Sequence, residues 1–110
     1  MNKNDFHITS NTQKSYYRLW VMFFNHYVNT KLPRKKTLYG FNTKPAHIQL
    51  QYLEKYIDER KFKVENANIY DNQTGDWLKT FDKKTFSWRE TTADEKQLAI
   101  AKNYKYVAKR

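Results

Sequence analysis

The sequence predicts an α+β fold: two N-terminal helices, a three-stranded antiparallel meander and a C-terminal helix in a single domain. Three observations carry that prediction. An aromatic-rich run over residues 16–28 repeats its large side chains at helical spacing. Residues 62–89 switch to a two-residue period interrupted by turn-forming residues. Thr92-Ala93-Asp94-Glu95 has the pattern of a capping box that opens a helix. At 110 residues, with two glycines and two prolines, the chain has the size of one domain and not the composition of a linker. Residues 1–11 are polar apart from Phe6 and Ile8 and read as an arm.

The first helix is placed over residues 13–30. Ser10 and Asn11 offer N-caps for it. Tyr16, Trp20, Phe23, Phe24, Tyr27 and Val28 follow the i, i+4, i+7, i+8 template, widened by Tyr17 and Val21, with Lys14, Arg18, Asn25 and Asn29 on a polar side. A buried strand is the competing reading, because Tyr, Trp, Val and Phe favour strands. Continuous apolarity at residues 19–24 breaks the strand period, and length with the polar stripe decides for a helix. Ten of the thirteen residues 16–28 are large and apolar or aromatic, so this segment is expected to supply the centre of the core.

Leu32-Pro33 should end that helix, since proline moves the preceding residue out of helical dihedrals. Arg34, Lys35 and Lys36 then form the densest basic run, read as a loop, with Tyr39 and Phe41 around Gly40. A second helix follows, capped by Thr43 with Pro45 in its first turn. Its apolar stripe is Ile48, Tyr52, Leu53, Tyr56 and Ile57, and its mixed charges form a solvated face. Strands are expected at residues 64–70, 77–81 and 85–89, joined by turns at 71–76 and 82–84. The last helix carries Leu98, Ala101 or Ile100, Tyr104, Val107 and Ala108 on one stripe, with Lys102, Lys105, Lys109 and Arg110 loading its end.

A formal net charge of +10 is the strongest compositional signal, and it is uneven. Residues 1–40 carry a net +6, residues 41–90 a net +1 and residues 91–110 a net +3. Such basic ends attract polyanions, most commonly nucleic acid. The plain alternative is that a Lys- and Asn-rich composition only keeps the chain soluble.

Little in the sequence points to catalysis. With no cysteine, disulfides, thiol nucleophiles and zinc–thiolate sites are excluded. His7, His26 and His47 lie far apart and none has a metal-ligand partner at suitable spacing; His26 is assigned a packing role in the first helix. The segment Asp71-Asn72-Gln73-Thr74-Gly75-Asp76 lacks the spacing and closing Glu of a calcium loop and reads as a turn. Two glycines cannot form a phosphate cradle. No enzyme activity, cofactor, metal or small-molecule substrate is therefore expected. No apolar run reaches membrane-spanning length and the N-terminus lacks a signal-peptide core, so a cytoplasmic protein without membrane contact is expected.

A three-stranded meander followed by a helix resembles the AP2-type and integrase arm-type DNA-binding domains, over residues 68–110, with Trp77 in the second strand and an Ala-containing helix after it. The resemblance implies a sheet face presented to the DNA major groove. The arginine-rich first strand of those domains is missing here, where residues 62–70 carry Lys63 and two carboxamides. The leading functional expectation is a small non-catalytic DNA- or RNA-binding protein. Arg34, Lys35, Lys36, Lys102, Lys105, Lys109 and Arg110 would contact phosphates, with Lys83, Lys84 and Arg89 beside them. The alternative is an inhibitor or adaptor of the kind phages and mobile elements encode, which binds a host enzyme or nucleoprotein complex through Tyr, Trp and Arg.

Overall fold

Backbone pairing, and not helical spacing, governs the aromatic-rich run. In the computed structural model, which describes residues 15–108 with side chains through 102, Tyr17–Phe23 is a strand, β1. It is hydrogen-bonded on both sides, to β2 (Lys35–Tyr39) and to β3 (Val64–Asp71). β4 (Trp77–Asp82) and β5 (Ser87–Glu90) complete a five-stranded antiparallel sheet in the order β2-β1-β3-β4-β5.

The expected architecture of two N-terminal helices and a three-stranded meander is thus overturned. There are two helices among the described residues, α1 (Ala46–Asp58) in mid-chain and α2 (Ala93–Ala108) at the end. β3, β4 and β5 lie close to the expected strands, but β1 pairs along the free edge of β3 and extends the sheet. The likeness to three-stranded DNA-binding domains fails at the same place.

The physical reason lies in the two faces of β1. Leu19, Val21 and Phe23 are fully buried on one face, while Arg18, Trp20 and Met22 are half-buried on the other. Burial alternates with period two, as a strand requires, although hydrophobicity does not. Aromatic and β-branched residues pack well on such a pleated surface, and two flanking ladders satisfy the backbone. Past the strand, Asn25–Tyr27 makes a single 3₁₀ turn. His26 is exposed there, with ring centroids 5.9 Å from Phe24 and 4.2 Å from Tyr27, and not packed in a helix. The Asn29 side chain accepts from the Lys31 and Leu32 N–H groups at 2.8 and 2.9 Å and closes the connection to β2.

α1 starts two residues later than Thr43 would place it. Pro45 is its N-cap, and its carbonyl accepts from Ile48 and Gln49 N–H at 3.1 Å each. Leu53 and Ile57 pack on Leu19, Val21, Phe23, Val64, Ala67, Ile69 and Phe81, and this layer between α1 and one sheet face is the core. Fully burying a side chain of this class contributes roughly 1.5–3 kcal/mol. Ile48 and Tyr52, expected on the buried stripe, are each 37% exposed, and the buried Gln49 takes their place. Gln49 donates to the Lys44 carbonyl at 2.9 Å and accepts from Tyr16 N–H at 3.0 Å, while Ser15 Oγ donates to the Gly40 carbonyl.

Two bulges bend the sheet, with Glu65 and Leu78 as the extra residues. In the β3–β4 turn, Asp71 Oδ1 accepts from Gln73 and Thr74 N–H at 2.8 and 3.0 Å, and Gly75 supplies φ +80°. Those two N–H groups hold the Asp71 carboxyl below the ordinary range. α2 opens on the expected capping box. Glu95 N–H donates to Thr92 Oγ1 at 3.1 Å, and Thr92 N–H donates to Glu95 Oε1 at 3.0 Å.

Candidate nucleic-acid interface

α1 covers one face of the sheet; the strand registers define what stands on the other. Pairing aligns Tyr39, Arg18, Tyr70 and Trp77 in one row across β2, β1, β3 and β4. The next row is Thr37, Trp20, Asn68, Thr80 and Arg89, and crosses all five strands. A third row holds Lys35, Met22 and Asn66. Neighbours in a row are about 4.5–5.5 Å apart, so these side chains pack side by side, with Asn68 and Thr80 buried beneath the longer side chains around them, at 7% and 8% exposed. Aromatic rings, carboxamides, hydroxyls and cations make up nearly all of this face.

Within the first row the Arg18 guanidinium lies 5.0 Å from the Tyr70 ring centroid. Burial pushes the Tyr70 phenol up, against the opposing pull of the Arg18 charge and a hydrogen bond with Asn68. Trp77 Nε1 donates to Asn68 Oδ1 at 3.1 Å, which orients both groups. Trp20 stands between the small polar Thr37 and Asn68 and is not among the side chains packed on the core. Arg18, Trp20, Thr37, Asn68 and Tyr70 line a groove of about 330 Å³. Asn68 and Tyr70 also line a larger hollow of about 620 Å³ that runs past Trp77 to Ala99, Ile100 and Lys102 of α2. A third depression, about 540 Å³, lies between Met22, Asn66, Lys83, Lys84 and Arg89, with Glu65 and Asp82 also at its wall.

The sequence-predicted basic residues fall into different positions. Arg34, Lys35 and Lys36 do not share a loop. Lys35 and Lys36 open β2, and the pleat sends neighbours to opposite faces. Lys35 stands on the open face, whereas Lys36 lies on the α1 side with Nζ 5.6 Å from the Tyr56 ring centroid. Arg34 is a structural tie: Nη1 donates to the Phe23 carbonyl at 2.6 Å and Nη2 pairs with Glu65 at 3.3 Å. Lys83 and Lys84 are exposed in the β4–β5 turn, at the end of the open face. Lys83 Nζ is 5.6 Å from the Phe24 ring centroid.

Arg89 is on the open face but engaged. Its guanidinium meets Glu95 bidentately at 2.8 and 2.7 Å, and that contact lowers the Glu95 carboxyl to about 2. Lys102 is exposed on α2 at the larger hollow. Lys105 lies in α2, but its side chain, like all of Lys109 and Arg110, is outside the described residues.

Helical assignment of residues 13–30 hid Arg18, Trp20, Asn68 and Tyr70 as a group, because only strand pairing brings them together. The signal present in the sequence was the mixed identity of the alternate set Arg18, Trp20 and Met22 against the purely apolar set Leu19, Val21 and Phe23.

Among the described residues no group of three or more His, Asp or Glu could hold a metal ion, and no helix is long and apolar enough to cross a membrane. Comparison with protein-family models, with curated proteins and with solved structures finds no match to this chain.

Proposed function

We propose that this chain is a non-catalytic nucleic-acid-binding protein of the cytoplasm, and that the open face of its sheet is the binding surface. One observation carries the reading. The face left uncovered by α1 joins rows of aromatic and amide side chains to the cations Arg18, Lys35, Lys83, Lys84 and Lys102. Cations serve phosphates, while rings and amides serve bases, so this composition suits a polynucleotide better than a simple anion. Arg34 and Arg89 are assigned to holding the fold, because each already has a carboxylate partner.

Each neutralised phosphate releases counterion, so affinity should fall steeply with salt. Five contacts correspond to a slope of log K against log salt of about −4. Fluorescence anisotropy with labelled oligonucleotides across a salt series measures it. A slope near zero, or no binding at low salt, refutes the reading.

The inhibitor or adaptor alternative draws on a different surface. Phe41, Ile48 and Tyr52 are 42%, 37% and 37% exposed on the α1 side, with the Phe41 and Tyr52 ring centroids 4.8 Å apart. A protein retained on the immobilised chain after nuclease treatment of a lysate, and released by Tyr52→Ala, would favour it.

A further inference from the structure

The shape of the open face narrows the class of nucleic acid, an inference that rests on the binding surface proposed above. A β-ribbon reads duplex DNA from inside the major groove, about 12 Å wide, whereas broader sheets lie over a minor groove that they open with inserted apolar wedges. Five strands at about 4.8 Å spacing span about 19 Å between the outer backbones. This face is therefore too wide to enter the major groove, and its rows of Tyr, Trp, Asn, Thr and Arg carry few of the aliphatic wedges that open a minor groove. Its rings also have no use against paired bases, whose faces are covered by their neighbours in the stack.

We infer that the open face takes a single-stranded polynucleotide, with an unpaired base stacked on Trp20 and its backbone led between Lys35 and the β4–β5 lysines on one side and Lys102 on the other. The geometry is specific about Trp20. Of the open-face rings, Tyr39 stands at the β2 edge of the sheet, Tyr70 is already met by the Arg18 guanidinium at 5.0 Å, and the Trp77 indole is oriented by its 3.1 Å bond to Asn68. Trp20 instead stands in a groove with Thr37 and Asn68, both shorter than itself, on either side in its row. A planar base laid on Trp20 meets Arg18 and the exposed Thr37 at its edge, where a guanidinium and a hydroxyl reach base heteroatoms, while the buried Asn68 forms the floor. The hollow that shares Asn68 and Tyr70 continues the path toward Lys102 of α2, past Asp76, whose charge is met by Lys96 at 3.3 Å. Charge complementarity selects this occupant: the cations at both ends of the path match a phosphate backbone.

The test is equilibrium binding of the full chain to labelled oligo-dT, oligo-U and a duplex of equal length at one salt concentration. Single strands should bind at least about tenfold tighter than the duplex. Trp20→Ala should weaken single-strand binding by about fivefold to a hundredfold, the usual range for losing one base–aromatic stack. Trp20→Phe should retain most of the affinity while losing most of the tryptophan quenching that the oligonucleotide causes. This second variant keeps a ring in place and so separates stacking from any loss of fold. Oligo-dT and oligo-U distinguish DNA from RNA as the source of the strand. Duplex binding as tight as single-strand binding, or a Trp20→Phe variant that quenches like the parent, overturns the inference and leaves the broader reading intact. Failure of all three ligands to bind overturns both.

Discussion

Gly40 shows how a single residue fixes the geometry beneath the site. A β-carbon at this position would clash with Gln49 Oε1 and stand 2.6 Å from Gln49 Cβ and 2.9 Å from Gln49 Cγ. The Gln49 Cβ is fixed to the α1 backbone, so the side chain has little freedom to withdraw. Gln49 is itself 1% exposed and ties Tyr16 N–H to the Lys44 carbonyl, which joins the start of β1 to the start of α1. Gly40→Ala should therefore cost about 1–3 kcal/mol by overpacking, read from urea unfolding. A loss below about 0.5 kcal/mol, the range of an indifferent surface change, would contradict the close contact. At the same scale, the basic run shows why residue type alone misleads. Arg34, Lys35 and Lys36 are adjacent in sequence, yet one is tied to Glu65, one faces the open surface and one lies over Tyr56. A loop would have left all three to solvent; a strand separates them.

Among the elements, those defined by local signals were readable. α1, the three C-terminal strands and α2 lie close to where periodicity, turn residues and the capping box place them, because each signal sits within one segment. β1 was not readable in that way. Its strand state depends on partners at residues 64–71, more than forty positions away, and on a second face where Trp20 and Met22 stand beside Arg18 instead of a run of polar residues. With Trp20 and Met22 apolar on the second face and only Arg18 polar, the strand period was weak in the hydropathy pattern, and the helical template fitted by default. The candidate site inherited the error, since its central row depends on that pairing. α2 offers a check on element anchoring. Glu95 has a carboxyl lowered from an ordinary 4.5 to about 2, first by the Arg89 guanidinium and then by Thr92 N–H. A depressed carboxyl stabilises the folded arrangement above its unfolded value, and that contribution fades as pH falls through the folded value. The first turn of α2 should therefore stay anchored at pH 5 and above, and loosen progressively between about pH 4.5 and about pH 2. Side-chain carboxyl NMR should give a Glu95 midpoint near 2, and Arg89→Gln should return it toward the ordinary range. A native midpoint at 4.5 would show that the bidentate contact does not form in solution.

For the molecule as a whole, the decisive property is the division of one sheet into a covered and an open face. Net charge alone cannot tell a binding surface from a soluble composition, because both predict a basic protein. Position can. Lys83 and Lys84 are at the end of the open face, whereas Lys44 and Lys55 are exposed on the α1 side. A helix is about 10–12 Å across, so the outer surface of α1 lies more than one Debye length, about 8 Å at physiological salt, from the open face. Reversing Lys83 and Lys84 to Glu changes net charge by the same amount as reversing Lys44 and Lys55. If the open face binds the polyanion, the first pair should weaken oligonucleotide affinity by at least about tenfold and flatten the salt slope by about 1–2. The second pair should leave both nearly unchanged. All four residues are exposed, so neither double variant is expected to disturb the core, and unfolding curves verify this. Equal losses from the two variants would mean that the charge acts as a diffuse field around the whole molecule, and the open face would lose its claim to be the site.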